Sequence, residues 1–395
     1  MFFSILKNLD FNGKLDIVDF NGHQYTFGKG LPYSKIRFTN KSIEKKLLRN
    51  PSLHLGEGYM NQEIIIEKGN LDNFLNIITS CYDDFLLNNI FFRTYESISS
   101  FFKPLQQINK LINSKKNVAH HYDLNEKLYN LFLDKDMQYS CAYFPNDNFN
   151  LEQAQVEKKK HIINKLNIKD NMDVLDIGCG WGGLSLEIAK ETGAKVKGIT
   201  LSENQLATAK KRAQAEGLSD RVTFALQDYR HEIDYYDRIV SVGMFEHVGI
   251  NYYQTFFSKT YSLLKKNGVF LLHTIGKRGK PSATSPWIRK YIFPGGYIPS
   301  ITEIFSVCEK QNINITDVEV LRLHYAKTLD LWYKNTLNNK KKIIELFDDK
   351  FFKMWEFYLL ISKYSFINMG NIVYQIQIAK NINNLPITRD YIYNL

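Results

Sequence analysis

From residue 174 onward, short apolar runs alternate with helical patterns. The runs fall at 174–177, 195–200, 222–227, 236–245 and 269–275, with helical patterns over 184–192, 203–216 and 252–265. Runs this short, separated by amphipathic helices, pair as a parallel sheet, because parallel neighbours need a crossover and the crossovers cover both faces. Right-handed crossovers then fix the winding. Two late runs, 314–323 and 372–380, are expected to close the sheet as an edge pair. The spacing thus predicts an α/β fold on a mostly parallel seven-stranded sheet.

Ahead of this region the pattern changes. Asn21-Gly22 lies between two alternating runs and tolerates the positive φ of a tight turn, so 15–28 reads as a hairpin. Helices are expected over 41–49 and 71–103. The polar, basic stretch Lys110–Asn117 is the natural seam. The expected division is a small N-terminal α+β domain over 1–113 and a larger domain over 114–395.

Composition limits the function classes. Of 395 residues, 44% are hydrophobic and 23% charged, which excludes disordered, collagen-like and coiled-coil chains. No apolar run approaches the roughly 18 residues that span a bilayer, and the start lacks the order of a signal peptide, so a cytoplasmic location is expected. Cys81, Cys141, Cys179 and Cys308 are too widely spaced for a paired metal site or a disulfide framework, and no metal is expected. The net charge is +10, and residues 277–345 hold 12 basic and 6 acidic side chains. Such a concentration suits an anionic membrane surface or nucleic acid, and equally a solvated helix face. The aromatic content, 14%, points weakly to an apolar ligand or surface.

The sharpest local feature is Val174–Gly183, a strand running into Gly178, Gly180, Gly182 and Gly183. Glycine lets the backbone turn sharply and admits a ligand without Cβ atoms in the way. Gly178, Gly180 and Gly183 also satisfy a dinucleotide pattern, but Asp176 would repel a pyrophosphate while accepting from a cationic amino-acid group. The run Asp-x-Gly-x-Gly-x-Gly resembles motif I of the S-adenosylmethionine-dependent methyltransferases, a class I, Rossmann-like fold. The next strand departs from that pattern. It ends Thr200-Leu201-Ser202 instead of in an acid, with Gln205 one turn into the helix. Gln205 can bind a diol through its amide or simply face solvent, and Ser202 is a natural N-cap. Asp228, followed by Tyr229, can reach an adenine amine or merely cap a turn.

Further motifs lie at Asn117–Leu124, Met137–Phe144, Phe245–Gly249, His273–Gly276, Phe293–Gly296 and Tyr325–Leu329. In this order, over about 117–380, the chain resembles the cyclopropane-fatty-acyl-phospholipid synthase family. Leu55–Met60 is similar, less specifically, to the small lipid-facing domain of bacterial members. The resemblance implies transfer of a methylene unit from S-adenosylmethionine to the cis double bond of an unsaturated phospholipid acyl chain, giving a cyclopropane ring. It also implies a bound bicarbonate as base, held by Cys141, Glu246, His273, the backbone at Ile275, and Tyr325. Cofactor contacts are expected from Ser140, Asp176, Gly178, Gly180, Trp181, Gly182, Thr200, Leu201, Ser202, Gln205, Asp228 and Tyr229. Tyr122, Tyr143 and Trp181 offer ring faces to a cation. A homodimer formed through the N-terminal part and peripheral docking on anionic phospholipid are implied partners, and nucleic acid is not.

Each site residue has a plainer alternative. Cys141 also reads as a small buried hydrophobe, His273 as a satisfied core histidine and Tyr325 as core. Glu246 and His247 follow a strand at the carboxyl edge of the sheet, where open α/β folds bind ligands. Alternatives at the level of function are methylation of an acyl-chain alkene without ring closure, methylation of a small amine, and a non-catalytic lipid-binding protein.

Overall fold

The computed structural model describes residues 1–88, Thr94 and 126–393. They form two compact units, one from Met1–Gln106, Ser282–Pro294 and Leu329–Asn371, the other from Gln107–Pro281, Gly295–Thr328 and Ile372–Leu395. The single division at 113/114 is therefore replaced by an interleaved one, in which two later segments return to the first unit. Tertiary packing decides this. The Trp287 ring lies 4.8 Å from that of Phe357, and a Cβ on Gly56 would collide with both. Lys363 bridges Asp72 and Asp330 at 2.9 and 2.8 Å. The seam Lys110–Asn117 and the motif Asn117–Leu124, with Tyr122, lie outside the described residues.

The first unit contains β1 (Asn12–Val18), β2 (Gln24–Phe38) and β3 (Ile64–Lys68), antiparallel in that order. Gly22 at φ 91° makes the expected hairpin turn. Leu15, Ile17, Ile36, Phe38 and Ile64 are buried, as alternation on a half-covered sheet requires. The expected helix over 41–49 runs from Ile43 to Arg49. Within the segment expected to be helical over 71–103, helices run over Leu71–Ser80 and Tyr82–Asn88, beyond which only Thr94 is described before residue 126.

The second unit holds β4 (Asp173–Ile177), β5 (Lys195–Thr200), β6 (Val222–Leu226), β7 (Tyr236–Val242), β8 (Leu264–Lys277), β9 (Asn314–Val320) and β10 (Asn371–Ala379). Their order is β6-β5-β4-β7-β8-β10-β9. The pairs from β6 to β8 are parallel, and β9 and β10 form the expected antiparallel edge pair. Alternate residues feed two cores: Leu175, Ile239, Phe270 and Leu272 enter one, Val174, Val240, Val269 and Leu271 the other. That alternation is the signature of a sheet covered on both faces. The strand order reverses between β4 and β7, which opens a crevice at their carboxyl ends.

Candidate active site

The turn after β4 opens into this crevice. Gly178, Gly180 and Gly182 take φ of 81°, 54° and 85°. Gly182 is the N-cap of the helix Gly183–Thr192, and a Cβ there would stand 2.7 Å from the Phe224 ring. Its need for glycine is therefore internal packing. A Cβ on Gly180 would meet nothing within 4 Å, so that face of the turn stays open to a ligand.

Ser140, Asp176, Gly178, Gly180, Trp181, Thr200, Leu201, Gln205, Asp228 and Tyr229 all line one pocket here. Gly182 and Ser202 stand behind it. Ser202 caps the helix Glu203–Ala215, its side chain accepting from the Gln205 N–H. Gln205 Oε1 accepts from Thr200 Oγ1 at 2.8 Å, which leaves the amide NH₂ as its donor group. Asp228 is a cap as well as a pocket residue: it accepts from Arg230 Nε and Nη2 at 2.8 and 2.7 Å, and these contacts hold its carboxyl below the usual range against its burial. Asp176 is buried and accepts from Ser185 Oγ at 2.7 Å; burial pushes its pKa up to about 6.

Tyr143 lies elsewhere. Its ring is sandwiched between His161 and His324, at 4.2 and 5.0 Å and nearly parallel to both, and is not part of the pocket wall. Both faces are taken by imidazoles, so they are not offered to a sulfonium. Trp181 does line the pocket, tilted against Tyr129 at 4.8 Å.

None of the residues expected to hold bicarbonate is part of this wall, although Ser140, Val242, Gly243, Met244 and His247, their neighbours in the chain or across the sheet, are. Glu246 sits in the 3₁₀ turn Phe245–His247 after β7, and its Oε1 accepts from the Ile275 N–H at 2.6 Å. Its Oε2 is buried and takes no hydrogen bond from the described residues. Burial pushes the Glu246 pKa up to about 7, against the pull of the Ile275 N–H. His273 on β8 stands opposite Val242 on β7, and its carbonyl accepts from the Gly243 N–H at 3.0 Å. Gln375 Nε2 stands 3.1 Å from His273 Nδ1 and donates to it, so the ring proton belongs on Nε2. Burial first, then the charges of Lys158, Lys165 and His161, lowers the His273 pKa to about 3, so the ring is neutral. Cys141 is fully buried, and burial raises its thiol far above the ordinary range, which keeps it protonated. Tyr325 is nearly buried, one turn before Thr328, whose Oγ1 accepts from the Ala142 N–H at 3.0 Å.

Several pocket residues carry no role in the sequence reading: Tyr139, Arg230, Met244 and Tyr252. Tyr139 lies inside a motif already singled out, directly before Ser140, which is the signal that could have found it. Among the described residues no group of acidic, histidine or cysteine side chains could hold a metal ion, and no helix is long and apolar enough to cross a membrane.

A sheet that reverses order beside a glycine turn, with Asp176 at the strand end and Gln205 in the pocket wall, has the architecture of the class I, Rossmann-like S-adenosylmethionine-dependent methyltransferases. A mycolic acid cyclopropane synthase solved with SAH and CTAB overlays with a TM-score of 0.64 at 34% identity, covering 67% of this chain and 98% of its own. The chain belongs to the mycolic acid cyclopropane synthetase family, whose model matches residues 109–376; residues 2–90 match a domain of unknown function. It is 38% identical to the cyclopropane-fatty-acyl-phospholipid synthase of Escherichia coli over 88% of each chain. It is also 39% identical to a probable fatty acid methyltransferase of Pseudomonas putida over 70% of this chain and 73% of that one.

Proposed function

We propose that this chain transfers a methylene unit from S-adenosylmethionine to the cis double bond of an unsaturated phospholipid acyl chain, forming a cyclopropane ring. The observation that carries the reading is a buried carboxylate, Glu246, held by the Ile275 N–H between two residues of the pocket lining, Met244 and His247, in the chain, with its second oxygen free of partners among the described residues.

The alkene attacks the sulfonium methyl: a C–C bond forms, the C–S bond breaks and sulfur keeps the pair. An alkene is a weak nucleophile, so the chain's first task is alignment. The resulting carbocation then loses a proton from the new methyl group as the ring closes. Bicarbonate, when bound, supplies the base for that proton. The residues fit such an ion. His273 has its Nε2–H left to donate, and Glu246 Oε2 is left to accept an O–H. The Ile275 N–H is already given to Glu246, so its part is to orient that carboxylate.

Docking on anionic lipid is assigned to the first unit. Lys340, Lys341 and Lys342 are all exposed at the start of the helix Lys340–Leu346, whereas Lys290 is paired with Glu57 and Lys334 with Asp330. The chain would act as a homodimer bound peripherally from the cytoplasm. Sedimentation of the pure protein tests the dimer, and a monomer at micromolar concentration rejects it. Incubation with methyl-labelled S-adenosylmethionine and mixed phospholipids tests the reaction: label is expected in unsaturated acyl chains, and label confined to headgroup amines would reject it.

A further inference from the structure

The helix Leu151–Leu166 places a lysine deep inside the second unit. Lys158 is 1% exposed, and its Nζ donates to Ser140 Oγ at 2.9 Å and to Gln138 Oε1. Gln155, one turn earlier, donates from Nε2 to the carbonyls of Ser140 and Gln138 at 3.0 and 3.2 Å. Both held residues line the cofactor pocket. An ammonium has donors and no acceptor, so the contact has one sense: the serine oxygen accepts, and its own O–H is turned away from the lysine. None of the hydrogen bonds among the described residues takes that O–H.

We propose that Lys158 is a positioning residue that biases the Ser140 hydroxyl to donate into the pocket, so that the site favours a cofactor carrying a carboxylate at its amino-acid end. This rests on reading the pocket as the S-adenosylmethionine site. With one of its two lone pairs engaged by an ammonium, the hydroxyl is biased to donate, and a donor held this way favours an anion over a competing N–H. Gln155 holds the backbone of the same segment, so rotation of the hydroxyl is the remaining freedom, and Lys158 restricts it by barring the O–H from its own direction.

The charged and titratable groups facing Lys158 are Asp134, Asp136, Lys159, Cys141, Asp176 and His273. Burial lowers the Lys158 pKa to about 8, against the support of Asp134 and Asp136. Once deprotonated, the amine can accept from Ser140 as well as donate to it, and the fixed sense of the contact is lost.

The test is calorimetric binding of S-adenosylmethionine and of its decarboxylated analogue to the full chain, as wild type, Lys158→Met and Ser140→Ala. Wild type should prefer the carboxylate-bearing ligand by about 10-fold or more, the size of one charge-assisted hydrogen bond. Both variants should lose most of that preference, with affinity for the decarboxylated ligand changed by less than about 3-fold. The wild-type preference should shrink above pH ~8, and that pH dependence should vanish in Ser140→Ala. Equal weakening of both ligands in Lys158→Met would reduce the lysine to a structural strut and overturn the proposal. Should Lys158→Met not fold, a preference unchanged in Ser140→Ala overturns it just as well. A wild type that binds neither ligand rejects the cofactor reading itself, which is a separate result.

Discussion

The backbone N–H of Ile275 donates to Glu246 Oε1 at 2.6 Å. This bond ties the end of β8 to the turn after β7 and leaves Glu246 Oε2 buried without a partner among the described residues. A carboxylate fixed at one oxygen and unsatisfied at the other is costly to the fold unless a ligand completes it.

Glu246 should therefore govern both activity and stability with pH. Its carboxyl titrates near 7 in the folded chain against a reference of 4.5, so the folded state binds more protons across that interval. The sign follows: its contribution is favourable below the unfolded value and is lost as pH rises through 7. Urea midpoints of wild type should fall between pH 5 and 8 relative to Glu246→Gln, by about 1–3 kcal/mol in stability. Turnover of wild type should rise with pH around 7 as the carboxylate forms, and Glu246→Gln should lose about 100-fold or more in kcat. Parallel pH–stability curves for the two proteins would remove Glu246 from this role.

Gln375 should act through His273. Without its donor, the imidazole is free to carry its proton on Nδ1 and to present an acceptor where a donor is needed. Gln375→Leu is expected to lower kcat about 10-fold while the Kd for S-adenosylmethionine changes little. Because His273 titrates near 3, the acidic limb of the rate profile above pH 5 should be the same in this variant as in wild type. A shifted limb would assign that limb to the histidine.

The sheet, its edge pair and the gathering of most of the singled-out residues in one pocket wall were legible in the sequence, because short apolar runs between helical patterns and a glycine turn are local signals. What was not legible depends on distant partners. The return of 282–294 and 329–371 to the first unit is decided by contacts such as Trp287 with Phe357 and Lys363 with Asp72. Tyr143 reads as a pocket aromatic until His161 and His324, from two other segments, are found on its faces. Lys158 sits in a run of three lysines that carries no local signal of burial, and only tertiary packing shows it buried.

Asp176 should matter for the cofactor more than for folding. Asp176→Ala is expected to weaken S-adenosylmethionine binding at least about 10-fold, and wild-type affinity should decline as pH falls through 6, where the buried carboxylate takes a proton. Calorimetry across pH 5–8 checks this. Affinity independent of both pH and the substitution would contradict it.

Exchanging Lys340, Lys341 and Lys342 for Gln should reduce association with anionic vesicles by about 1 kcal/mol per lysine at low salt, with little change in thermal stability. Wild-type binding should weaken as salt rises. Vesicle flotation that ignores both salt and the triple substitution would return these lysines to a solvated face.

The most direct test of the central claim is the product. The ring and a methylene branch are isomers, so mass cannot separate them, whereas proton NMR of the purified lipid can. Lipid recovered from a reaction with S-adenosylmethionine and bicarbonate should show high-field cyclopropane signals, which fade when carbon dioxide is rigorously removed and return when bicarbonate is restored. Olefinic methylene signals in place of the ring, or full ring formation without bicarbonate, would contradict the account.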